Sequence, residues 1–146
     1  MDKSFAFSAV LSLTTFLGSC SKDESTPAAA STVTNLTAVV NGAQQVPANS
    51  SMATGTFAGT YDSKNMQLAY TVTFQGLTAT SAHIHIGAPG ATGAVAIPFA
   101  SLTSPITGTA TLTTDQANSL LNTGMYVNIH SSTYTGGEIR GNISKK

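Results

Sequence analysis

In the stretch MQLAYTVTF, residues 66–74, the larger apolar side chains Met66, Leu68, Tyr70, Val72 and Phe74 alternate with Gln67, Ala69, Thr71 and Thr73. A period of two sends successive side chains to opposite faces of an extended backbone, so this segment reads as a strand with one buried side. The turn cluster DSKN at 62–65 precedes it, and TGTFAGTY at 54–61 pairs with it as a hairpin. A similar segment precedes them, starting at 36 and ending at Asn41-Gly42 with Pro47 closing the loop after it, and others follow at 82–86, 94–99, 106–112, 125–130 and 137–143, separated by Gly, Pro and Asn turns. Between two of them, Thr113 and Gln116 form a capping-box pattern and Asn122 to Gly124 a stop, which predicts one short helix over about 113–122. The expected fold is all-β: a Greek-key sandwich or barrel of about eight short antiparallel strands and one helix.

Composition narrows the function classes. Only 8% of the 146 residues are charged and the formal net charge is zero, so no basic surface exists to neutralise phosphates and nucleic acid is not an expected partner. The polar character comes from Thr, Ser, Asn and Gly, which favour half-buried strands and tight turns.

The N-terminus reads as processing rather than fold. Lys3 precedes the apolar run FAFSAVLSLTTFL, too short for a comfortable membrane span, which ends at Leu17-Gly18-Ser19-Cys20. This resembles the lipobox of bacterial lipoproteins, with Cys20 as the lipidated first mature residue. Asp2 beside Lys3 weakens the positive leader. SKDESTPAAASTVT then reads as a flexible tether, and its KDE resembles an export tag for the outer face of the outer membrane. The expected organisation is a signal peptide at 1–19, a tether at 20–34 and a single domain at 35–146. Cys20 is the one cysteine, so no disulfide supports that domain.

Two of the three histidines lie one residue apart in SAHIHIGAPGATG, residues 81–93. On a strand His83 and His85 share a face, and Ile84 and Ile86 turn to the core. MYVNIH repeats the parity: Val127 and Ile129 point inward, Tyr126, Asn128 and His130 outward. If the two strands are neighbours, cross-strand side chains about 5 Å apart bring three imidazoles to one point, where bonds of about 2.0–2.1 Å would hold zinc or copper with a fourth position open. The alternative is three histidines on a solvent face, each satisfied by water or a backbone carbonyl.

The glycines of GAPGATG do not have the nucleotide-binding spacing and no βαβ helix follows, so they read as a wide turn needing positive φ. Glu138 and Arg140 share one strand face opposite Ile139. They either pair with each other, the structural role placed first, or orient a histidine or meet a ligand.

Four motifs in order, NGAQQVP, AHIHIGAPGATGAV, GMYVNIH and GGEIRGNI, resemble the CHRD domain, the module named after chordin and also found singly in bacterial secreted proteins. The resemblance covers about residues 34–144. Gln45 stands where the family commonly has an acidic residue. The family implies an extracellular module without an assigned chemistry. The H-x-H strand with a late histidine is also partly similar to the copper ligands of Cu/Zn superoxide dismutase, but the bimetallic centre needs further histidines that this chain lacks.

Three functions follow in order. The first is a non-enzymatic binding or structural module, anchored to the membrane by lipid on the surface of the outer membrane and meeting an extracellular protein or glycan. The second is a copper- or zinc-binding domain through His83, His85 and His130. The last is a small redox or hydrolytic enzyme at that site, for which Glu138 is the sole late acid and no catalytic triad or paired carboxylates are legible.

Overall fold

A computed structural model describes residues 32–146. Cys20, the leader and all but the end of the tether lie outside the described residues. In chain order the elements are β1 (Val33–Asn41), a 3₁₀ turn (Gly42–Gln44), β2 (Thr54–Asp62), β3 (Gln67–Gln75), β4 (Ser81–Ile86), β5 (Val95–Pro98), β6 (Ile106–Thr111), α1 (Thr114–Leu121), β7 (Met125–His130), β8 (Ile139–Asn142) and β9 (Ser144–Lys145). β1 thus opens at Val33, inside the stretch read as tether.

The strands form one nearly closed, barrel-like antiparallel sheet in the order β5-β4-β7-β8-β1-β2-β3-β6, with β9 paired to β1. The hairpin expected from the alternation is present: β2 and β3 pair from Thr54↔Gln75 to Asp62↔Gln67. Leu68, Tyr70 and Val72 of β3 are buried as their parity demands. Met66 departs from the expectation. It closes the turn in a left-handed conformation, φ 59°, while the Asp62 and Asn65 side chains accept from the backbone N–H groups of Lys64 and Gln67. A strand residue cannot adopt that φ, so β3 starts one residue later.

The helix matches its capping signal. Thr113 Oγ1 accepts from the Gln116 N–H and the Gln116 side chain accepts from the Thr113 N–H, while Ala117 and Leu120 dock on the core.

Strand β7 decides where the site can be. Val127 and Ile129 face the core as expected, but Tyr126 and Asn128, read as outward, are also buried. β7 lies between β4 and β8, and two loops cover its outer face. In the β1–β2 loop, Gln45 Nε2 donates to Asn128 Oδ1 at 2.6 Å and Asn49 Nδ2 to the Glu138 carbonyl at 3.0 Å. In the β4–β5 loop, the Gly93 N–H donates to Tyr126 Oη at 3.3 Å.

Two stability outcomes follow from this packing. Ile129→Ala, at a fully buried position near the end of β7, is expected to cost about 2–5 kcal/mol, and Thr113→Ala about 0.5–2 kcal/mol, in equilibrium denaturant unfolding. Equal losses at the two positions would contradict the assignment of the core to β7.

Candidate metal centre

β4 and β7 are neighbours, with Ser81↔His130, His83↔Asn128 and His85↔Tyr126 in register. His130 is therefore diagonal to His83, and His85 lies two residues further along β4 on the same face. The ring centroids of His83 lie 5.5 Å from those of His85 and 5.4 Å from those of His130, both edge-on. The structure brings together all three histidines singled out in the sequence: one nitrogen from each lies within 4.8 Å of the others. Two nitrogens bound to a common ion at about 2.0–2.1 Å in tetrahedral geometry would be about 3.3–3.4 Å apart, so the rings would have to draw closer to close the set.

Hydrogen bonds select which nitrogens are free. His85 Nδ1 meets the Gly93 carbonyl at 2.9 Å, and His130 Nδ1 meets the Thr135 carbonyl at 2.9 Å. A carbonyl only accepts, so both neutral rings carry their proton on Nδ1 and present the Nε2 lone pair. His83 Nδ1, His85 Nε2 and His130 Nε2 are inaccessible and have no hydrogen-bond partner. Polar atoms buried in this way are normally paired, and three unpaired nitrogens on neighbouring rings are of the type that could hold a cation.

The glycine loop after the H-x-H strand makes this geometry possible. Ala91 N–H donates to the Ala88 carbonyl and Gly90 adopts φ +79°, so the expected positive-φ turn is present at the loop tip. At Gly93 any Cβ would run into the Ile86 carbonyl, and at Gly87 it would lie 2.9 Å from Cε1 of Tyr126. Only a bare backbone lets the loop lie flat against β4 and hold its carbonyl to His85.

Glu138 and Arg140 do not pair with each other. Ser51 Oγ donates to Glu138 Oε1 at 2.6 Å. The Arg140 guanidinium lies 3.5 Å from the centre of the Tyr126 ring, and its Nη2 donates to the Ala88 carbonyl at 3.1 Å and Asn142 Oδ1 at 3.2 Å. Side chains two apart on one face diverged because a different covering loop claimed each. Ile86 also departs from the sequence reading: at 36% exposure it is not a core residue, for β4 ends there.

Tyr126, Gln45, Asn128 and Ser51 are the residues that sequence reasoning did not assign to the site's surroundings. For Tyr126 and Asn128 the signal was present, since they share the parity of His130. Gln45 and Ser51 sit in an aperiodic loop that carries no such signal.

Burial lowers the pKa of His83, assisted by the neighbouring His130 and His85. It also lowers that of His85, opposed by the Gly93 carbonyl and reinforced by His130 and Arg140. Neutral imidazole, the form that binds metals, is thus favoured.

A scan against protein-family profiles matches CHRD, the CHRD domain, over residues 36–143. The chain belongs to the CHRD domain family. No curated protein searched matches it. Membership supports a binding or structural module, and CHRD is not a known enzyme family. Gln45 donates to the amide oxygen of Asn128, whereas a carboxylate at that position could only accept, and Asn128 would have to turn its NH₂ toward it.

The lowered histidine values fix the sign of a pH effect. The unfolded chain takes up protons at the ordinary value of 6.5, the folded chain only at lower pH, so stability present above 6.5 is lost as pH falls through it toward the folded values. Melting of the metal-free chain is expected to shift to lower temperature on acidification across that window. His83→Gln should flatten the slope, and an unchanged slope would rule out His83 as a source.

Proposed function

We propose that this CHRD domain is a non-enzymatic module that binds one copper or zinc ion through His83, His85 and His130. Two observations carry the reading: one nitrogen from each ring lies within 4.8 Å of the others, and each ring has an inaccessible nitrogen without a partner, two of these rings being held by carbonyls at their other nitrogen. Three neutral imidazoles suit either metal and leave a fourth position for water or an external ligand. Catalysis has no support from the surroundings. Glu138, the one acid considered for that role, is engaged by Ser51.

The same reading places the domain on the cell envelope, held through lipidated Cys20 by the tether, where it would meet metal ions outside the cytoplasm. Contact with an extracellular protein or glycan would use a different surface. The outer face of β1, β2, β3 and β6 is rich in hydroxyls, with Thr37, Thr60, Thr71, Thr107 and Thr109 lining an open groove of about 860 Å³ that Lys146 borders.

The metal reading is tested on the full chain carrying Cys20→Ser, which removes a competing thiol. Calorimetric titration with Zn(II) and with Cu(II) is expected to show one ion per chain. Metal at about 100 times its Kd should stabilise the fold by about 2.7 kcal/mol. His130→Ala should abolish both effects. No heat and no melting shift with either ion would refute the site. Separately, Cys20→Ala should move the protein from the membrane to the soluble fraction, and unchanged fractionation would refute lipidation.

A further inference from the structure

Arg140 is a cation only 1% exposed, and its Nε has no hydrogen-bond partner. Its charge is held by the face of Tyr126 and by the oxygens of Ala88 and Asn142 instead of by a carboxylate. Asn142 is held in turn: its backbone N–H and its Nδ2 both donate to Gln44 Oε1 at 3.3 Å. A buried guanidinium fixed this firmly is a costly device for structure alone.

What it presses on is informative. β7 runs between β4 and β8, so Tyr126 receives Arg140 from the β8 side and His85 from the β4 side. His85 and Tyr126 are stacked with ring centres 4.9 Å apart and planes only 2° from parallel. Tyr126 also reaches His85 a second way: its Oη accepts from the Gly93 N–H, and the Gly93 carbonyl accepts from His85 Nδ1. Arg140 closes the circuit by gripping Ala88, at the other end of the same loop. Tyr126 and the Gly93 carbonyl touch His85 directly, Arg140 reaches it through Tyr126 and the loop, and none of these contacts touches His130, whose Nδ1 is held by Thr135 in a separate loop.

We propose that Tyr126 and Arg140 are positioning residues that lock His85 as its Nδ1–H tautomer with Nε2 aimed at the ion. The functional consequence rests on the metal reading above, whereas the lock itself can be measured without metal. Arg140 acts through its planar fork, which covers a ring and donates to two acceptors at once, so lysine is not an equivalent. Tyr126 contributes both a flat face and a hydroxyl oxygen. Loss of supporting contacts of this kind to a metal-ligating histidine typically costs about 10–100-fold in affinity.

The test uses the full chain with Cys20→Ser and reads the ring nitrogens by ¹H–¹⁵N correlation in the metal-free protein, at a pH above the imidazole range. Wild type is expected to show His85 and His130 both as Nδ1–H. Tyr126→Phe, which keeps the stack and loses the Gly93 bond, and Arg140→Lys should each shift His85 toward the Nε2–H form and leave His130 unchanged. Zn(II) affinity should fall about 10–100-fold at unchanged stoichiometry. The proposal is overturned if wild-type His85 is Nε2–H, if both variants keep the wild-type tautomer and affinity, or if His85 and His130 change together, which would mean general loosening. Should Arg140→Lys not fold, Tyr126→Phe alone decides. A wild-type chain with the expected tautomers that binds neither Zn(II) nor Cu(II) would sink the metal reading and leave the lock standing.

Discussion

Burial of both faces of β7 is the constraint from which the candidate site follows. A strand buried on one side can leave its polar side chains to water, but a strand covered on both sides has to satisfy each one within the protein. Asn128 is satisfied by Gln45, and Tyr126 by the Gly93 N–H and the Arg140 guanidinium. One nitrogen on each of the three histidines is an exception on this face, together with Arg140 Nε. Covering the face therefore does two jobs: it fixes ring orientations through hydrogen bonds at the outer nitrogens, and it strips partners from the inner ones.

Much of this architecture was legible from periodicity. The parity of Leu68, Tyr70 and Val72 identified the β3 core face, Thr113 and Gln116 located the helix start, and the shared parity of His83, His85 and His130 anticipated a common face. What periodicity cannot see is a layer built from loops. The residues that cover β7 come from 42–53 and 87–94, where no repeat relates one side chain to the next. Asn128 and Tyr126 consequently read as solvent-facing. Glu138 and Arg140 illustrate the same limit, because adjacency on a strand face predicts a meeting only when nothing else competes for either group. Ser51 takes one and Tyr126 the other.

Family membership and the local chemistry meet at the same residues. The motif segments that carry the CHRD resemblance are those that surround the histidines: Gln45 in the first, the H-x-H strand and its glycine loop in the second, β7 in the third, and Arg140 in the fourth. In this chain those four segments come together on one covered face of the barrel.

The glycine loop separates into a rigid base and an unconstrained crest. At the base, Gly87 and Gly93 exclude any side chain, since their neighbours already occupy the space. At the crest, a Cβ on Gly90 would meet nothing within 4 Å, and Pro89, Ala91 and Thr92 are exposed. Diversification can therefore accumulate a few residues from the histidines without disturbing them, giving this scaffold a place to acquire new surface chemistry beside an unaltered histidine cluster.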